Sequence, residues 1–413
     1  MNISGLKRRH FLWIILFVYL ASLLFHSQMA SQRRADEQFG LPKYVFGDGQ
    51  YYILLTYTLL NQHRLYIYDG RGSIRNTLME SAFSLGRDGR VYITFSPLYS
   101  VVLAPAYAIA GILGAYILNA LIGVATCYFI YKTCRLFVSE ESAVDTTLLF
   151  AFGTIIFTYS QVIYAEDMTA LLTIASFYFA AKYEKDGGKP RLVCSGLLSG
   201  ALLLAKPSLA IVPLSIAVYH AYKNRLKDMP FLVAPMALAA LIYLGLNAAS
   251  FGSPLKTGYS SEIIIRGAER TTVDHGDARF WSNNPLRTAP LIILLLVATQ
   301  PILAVSILGM IKNMRADETK YAALTTAVLL LALSLRYNPL GYWCWSTRLL
   351  TPVIPLLAIP FALAYEKKQV GGGVVLTLAV ISVALTLFSL APISWHLFTQ
   401  LPITSWITYN PYT

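Results

Sequence analysis

Charge is scarce in this sequence. Asp, Glu, Lys and Arg together make up only 13% of its 413 residues, while 56% are hydrophobic. A soluble globular chain carries about a quarter charged residues. The apolar positions gather into repeated runs of about 17–25 residues, the length a helix needs to cross a bilayer. A soluble enzyme is excluded, and no polar stretch is long enough for a soluble domain of useful size. Cysteine is equally sparse, and Cys127, Cys134, Cys194 and Cys344 show neither disulfide nor zinc-ligand spacing. The histidines, His63, His275 and His396 among them, have no ligand spacing either. Internal repeats and charged mid-span residues, which secondary transporters often show, are also missing.

What remains is an all-α polytopic membrane protein. Eleven spans are predicted, at about 11–28, 113–134, 143–163, 167–183, 191–205, 208–222, 229–248, 288–312, 320–336, 349–365 and 370–391. The first begins after Lys7, Arg8 and Arg9; its run from Phe11 to Phe25 reads as a retained anchor rather than a cleaved leader. Lys206-Pro207 marks a tight turn between the fifth and sixth spans. The transmembrane domain is expected over 1–395, with a short aromatic tail at 396–413.

The net charge of +12 could suggest a nucleic-acid partner, but its distribution argues against one. Of 33 Lys and Arg residues, 17 fall in six short segments between or before apolar runs. Most others lie in two long loops, 29–112 and 249–287, which the positive-inside rule largely discounts. The predicted N-terminus is therefore cytoplasmic and both long loops are outside, in a plasma (inner) membrane protein. The apolar stretch 97–112 cannot span without placing Lys132 and Arg135 outside. It is expected to lie on the outer surface as a juxtamembrane helix, as is the stretch beginning at Tyr51.

Ionisable groups at the edge of hydrocarbon are costly and tend to be functional. Those on the predicted outer side are Asp48 in GDGQYY, Glu166-Asp167 in YAEDMTALL, Lys206 in LLLAKPSLA and Arg348 in WCWSTRLLTP. Acids and bases from four separate places could form one cleft with an acid/base function and an anion clamp. Each also has a plainer reading. Gly-Asp-Gly is a good turn by itself, and Glu166 or Asp167 could cap a helix. Lys206 could snorkel, and Arg348 could cap a helix or pair with a loop carboxylate. The Trp343/Trp345 pair could belong to an interfacial aromatic belt instead of a sugar platform.

The order of these motifs resembles the GT-C integral-membrane glycosyltransferases, in particular the protein O-mannosyltransferase and aminoarabinose-transferase branch. The resemblance runs from residue 45 to about 365. It is carried by Gly47-Asp48-Gly49-Gln50-Tyr51-Tyr52, by Phe95-Ser96-Pro97, and by Asn119 in the second span. Tyr159 through Asp167, Lys206-Pro207 and the Trp343–Pro355 stretch continue it. The chain departs from that pattern twice: the second acid of the first motif is missing, and Ser96 stands where the aminoarabinose enzymes have a base. The resemblance implies sugar transfer, with inversion, from a polyprenyl-phosphate donor to a protein, lipid or glycan acceptor at the outer face. It implies Asp48 as the base, with Glu166 or Asp167 assisting or sharing a divalent Mg or Mn ion with Asp48. Lys206, Arg348 or a loop arginine would hold the phosphate, with Tyr51, Tyr52, Ser96, Tyr342 and Trp343 as further substrate contacts. A polymerase or ligase of lipid-linked glycans, a secondary transporter and a non-catalytic assembly protein are the alternatives.

Overall fold

The computed structural model describes residues 3–30, 47–68, 83–223, 225–266, 269–272, 283–336, 338–341 and 344–399. Helix α1 (Ile3–Ala30) is followed by α2 (Gly49–Gln62), a hairpin of β1 (Phe83–Leu85) and β2 (Val91–Ile93), and α3 (Leu98–Cys134). Helices α4 (Glu140–Gly153), α5 (Ile155–Ser160), α6 (Ala165–Asp186), α7 (Lys189–Ala205), α8 (Ile211–Tyr222) and α9 (Met229–Phe251) come next. They lead to β3 (Glu262–Arg266) and β4 (Glu269–Thr272). Then come α10 (Pro285–Thr299), α11 (Leu303–Lys312), α12 (Asp317–Ser334), a 3-10 turn (Arg348–Val353), α13 (Ile354–Glu366), α14 (Gly372–Phe388) and α15 (Pro392–Thr399). Among the described residues, three segments are apolar and long enough to cross a membrane: Leu98–Cys134, Leu226–Phe251 and Arg348–Glu366; shorter apolar helices accompany them.

Helix α2 and the first arm of α3 form where the sequence places helices. Helix α3 is two arms joined at a kink, with Ala110 at φ −137 and Gly111 at φ 59, ψ −142. That Gly111 conformation is closed to residues with a Cβ. Just beyond it, a Cβ on Gly114 would strike the Ala106 carbonyl, so the second arm leaves close against the first. The first arm packs on α2 through Tyr52 and Tyr99 (ring centroids 4.9 Å apart). Ser100 Oγ also donates to the Tyr52 carbonyl at 2.9 Å.

Two predicted spans are broken instead of continuous. Residues 143–163 divide at Thr154 between α4 and α5, and 288–312 divide at Gln300-Pro301-Ile302 between α10 and α11. Gln300 joins the two breaks. Its Oε1 accepts from the Ile155 amide at 3.0 Å and its Nε2 donates to Ser346 Oγ at 3.1 Å. A helix broken in the buried interior needs such replacement partners, because its apolar surroundings supply none. A pattern of apolar residues cannot reveal the break, since both halves remain apolar.

The long loops add a feature not predicted. Their strands form one antiparallel sheet in the order β2-β1-β3-β4, with Phe83 paired to Ile93 on one side and Ile263 on the other. Ser84 Oγ reinforces the joint by donating to the Gly258 carbonyl at 2.7 Å. Strands of three to five residues are too short for period-two alternation to stand out. At the opposite end, the short basic segments come together. Phe11 of α1 packs on Tyr131 near the end of α3, and Lys185 reaches the Leu136 carbonyl. Lys223 pairs with Asp317, and Lys367 donates to Asn313. The bundle has one basic end and one end built from the long loops.

Candidate active site

Four of the singled-out charges meet at the loop end of the bundle. Arg348, first residue of the 3-10 turn, reaches Asp48 through Nη2 and Glu166 Oε1 through Nε at 2.7 Å. Lys206, at the end of α7, donates to the same Glu166 oxygen at 2.8 Å. The side chains are 7% (Arg348), 1% (Glu166), 17% (Lys206) and 20% (Asp48) exposed. Two cations and two carboxylates thus balance in a nearly dry setting, where ion pairs are strong only because each member is compensated. Lys206 lies in the α7–α8 connector. Burial holds its pKa below the ordinary lysine value, against the pull of Glu166.

Local structure explains how each group arrives. Gly47 has φ +56 and its missing side chain leaves room for the Tyr164 hydroxyl, which a Cβ there would strike. The first glycine of GDG therefore answers to the protein's own tyrosine. Asp48 stands at the N-terminal boundary of α2 but makes no capping bond with its side chain; the carboxylate turns to Arg348. Glu166 and Asp167 lie in the first turn of α6, whose N-cap is Tyr164. Neither acid is a side-chain cap, although both suit the positive end of the helix dipole.

The two acids point to different neighbours, as adjacent helical residues must at about 100° of rotation each. Glu166 faces the cations. Asp167 is fully buried, and its Oδ2 lies 2.9 Å from where a Cβ on Gly123 of α3 would stand. Neither Asp167 oxygen meets a hydrogen-bond partner among the described residues. With Asp48 held by Arg348 and Asp167 turned to α3, the pair does not fit an ion held jointly. Among the described residues, no group of three or more His, Cys, Asp or Glu is placed to hold a metal.

The remaining candidates divide. Tyr51 and Tyr52 are buried (2% and 6% exposed). Tyr51 packs edge-on against Phe83 at 5.4 Å, and Tyr52 stacks on Phe95 at 5.2 Å. They form the wall behind the cluster instead of presenting open faces to a sugar. Ser96 donates its hydroxyl to the Leu204 carbonyl, which fastens the β2–α3 connector beside Lys206. Tyr342 and Trp343 lie outside the described residues. Trp345 belongs neither to an interfacial belt nor to an open platform: it is buried between Phe388 and Phe398.

Sequence reasoning gave no role to several residues that assemble the site. Asn119 accepts from Tyr99 Oη at 2.8 Å and donates to the Tyr159 and Val162 carbonyls at 2.7 and 2.5 Å. It thereby holds the turn that delivers Glu166. Tyr159 Oη donates to the Trp345 carbonyl at 2.9 Å, which positions the stretch leading to Arg348. Trp395 packs on both Tyr159 and Tyr164. The density of tyrosine in YSQVIYAED was the available signal.

Comparison with known proteins bears on this arrangement. Residues 96–249 match the family model described as dolichyl-phosphate-mannose-protein mannosyltransferase. ArnT from Cupriavidus metallidurans bound to undecaprenyl phosphate superposes with a TM-score of 0.57 at 14% identity, over 96% of this chain and 74% of that one. The apo oligosaccharyltransferase from Archaeoglobus fulgidus superposes with a TM-score of 0.57 at 12% identity, over 93% of this chain and 56% of that one. No curated protein matches the sequence.

Proposed function

The chain has the GT-C fold of integral-membrane glycosyltransferases, and from that premise we propose that it transfers a sugar from a polyprenyl-phosphate donor to an acceptor hydroxyl at the outer face of the plasma membrane. The observation that carries this reading is the Asp48–Arg348–Glu166–Lys206 cluster at the loop end of the bundle. Two neighbours of the same fold, ArnT and the archaeal oligosaccharyltransferase AglB, hold undecaprenyl phosphate and a dolichol-phosphate. The gathering of basic segments at the opposite end supports the sidedness.

In this reading the lipid phosphate enters beside Lys206 and Arg348. The guanidinium offers two parallel donors to phosphate oxygens and the ammonium adds a point charge. Asp48, the most exposed carboxylate of the cluster, yields its place on Arg348 and becomes available to the acceptor. The acceptor hydroxyl then attacks the anomeric carbon on the face away from the phosphate, as its proton passes to Asp48. The new oxygen–carbon bond forms while the carbon–phosphate oxygen bond breaks. Its electron pair leaves on the phosphate, whose charge the two cations stabilise. One displacement of this kind inverts the anomeric centre. Glu166 holds both cations in register and takes no proton. In this division Lys206 and Arg348 take the place of the basic residue absent at Ser96.

The test is mass spectrometry of envelope glycans and lipids from a deletion strain, together with undecaprenyl phosphate binding by the purified protein in nanodiscs. Loss of one defined sugar modification and saturable binding are expected. An unchanged glycan and lipid profile together with no binding would sink the reading.

A further inference from the structure

We infer that Tyr164 is a positioning residue that sets Asp48 and Arg348 in register; this rests on the function proposed above. Asp48 and Arg348 lie 300 residues apart in sequence. Their ion pair alone cannot fix where the two meet, because both side chains rotate. Tyr164 touches both sides of the pair. The Arg348 Cζ lies 4.3 Å above its ring centroid, a close cation–π placement. Its hydroxyl fills the notch left by Gly47 and meets the backbone of Asp48.

The ring itself has no freedom to drift. Tyr164 is fully buried at the head of α6, with Tyr159 at 5.9 Å and Trp395 at 6.0 Å between ring centroids. Tyr159 in turn holds the Trp345 carbonyl, three residues before Arg348. One rigid aromatic side chain thus measures the separation between the backbone carrying the base and the guanidinium carrying the phosphate. The two ends of that side chain have separable tasks. The ring face serves the guanidinium, hence anion binding; the hydroxyl serves the Gly47–Asp48 backbone, hence placement of the base.

That division makes the idea testable against simple core packing. Tyr164→Phe keeps ring and volume, so the Kd for undecaprenyl phosphate in nanodiscs should stay within about twofold of wild type. Sugar transfer, read as restoration of the missing modification in the deletion strain at matched protein level, should fall about tenfold, the scale of a misplaced catalytic group. Tyr164→Leu removes the ring face, and Kd should rise about tenfold, as loss of a desolvated cation–π contact would give. Gly47→Ala should also impair transfer, and less so in the Tyr164→Phe background, where the hydroxyl it strikes is gone. Arg348→Ala serves as the control on the site. If Arg348→Ala weakens binding while both Tyr164 variants bind and transfer like wild type, Tyr164 is packing only and the site reading survives. If Arg348→Ala binds undecaprenyl phosphate like wild type, the site reading falls and this inference with it.

Discussion

Asp48 and Glu166 both face Arg348, yet their surroundings predict different consequences of losing charge. Asp48 is one-fifth exposed and holds one end of the guanidinium. Asp48→Asn keeps shape but cannot take a proton, so transfer should fall at least about 100-fold, the lower end of general-base contributions. Thermal stability in detergent should hold near wild type. Glu166 is 1% exposed and compensates two buried cations at once. Glu166→Gln should therefore lower the unfolding temperature as well as transfer, because removing one partner of a buried pair costs about 3–5 kcal/mol. Equal unfolding temperatures for the two variants would contradict this division of labour. Arg348→Lys retains charge but loses the two-donor grip; it should weaken undecaprenyl phosphate binding with the protein still folded. A wild-type Kd would remove the anion clamp from the mechanism.

The elements reach their places through close backbone contact as much as through apolar bulk. Helices α7 and α9 meet along Gly196 and Gly200: a Cβ at Gly196 would strike the Leu232 carbonyl, and one at Gly200 would come within 2.8 Å of Ala239 Cβ. Small residues serve this purpose where lipid removes the hydrophobic drive between helices. Gly245, on α9, has nothing within 4 Å of such a Cβ. Gly196→Ala should cost about 1–3 kcal/mol as the helices are forced apart, whereas Gly245→Ala should be neutral or slightly stabilising. Thermal unfolding of both variants in the same detergent decides this, and equal midpoints would refute the packing argument. Since Lys206 directly follows α7, the Gly196 variant should also weaken undecaprenyl phosphate binding.

At the scale of the whole molecule, the two ends differ in chemistry, and that difference sets a test of orientation. Lys256 is exposed beside the sheet formed by the long loops, and Asp186 ends α6 at the basic end. In a Cys194→Ser background, Lys256→Cys should react with a membrane-impermeant thiol reagent on intact cells. Asp186→Cys should react only after the membrane is opened. Labelling of Asp186→Cys from outside would reverse the placement of the site, because the helices between these points connect the two ends in alternation.

The helical membrane-protein architecture, helices α2 and α3 and the four ionisable positions were legible in the sequence, since each depends on local composition. Apolar run length marks a helix in lipid, and a charge beside such a run is conspicuous because it is expensive there. Even the separation of 97–112 from the span after it could be argued from Lys132 and Arg135 alone. The choices among readings of each charge were not local. Whether Glu166 or Asp167 faces the cations depends on how α6 is rotated against α3, and Gly123 and Asn119 decide that from another helix. The breaks at Thr154 and Gln300 depend on each other, because one side chain satisfies the amide freed by the other break. The sheet likewise required two loops some 170 residues apart to meet, as Ser84 and Gly258 do. Tyr51, Tyr52 and Trp345 look like surface aromatics in a linear reading; only packing against partners distant in sequence buries them. Periodicity reports what one segment prefers to bury, whereas the identity of the group it is buried against exists only in the folded chain.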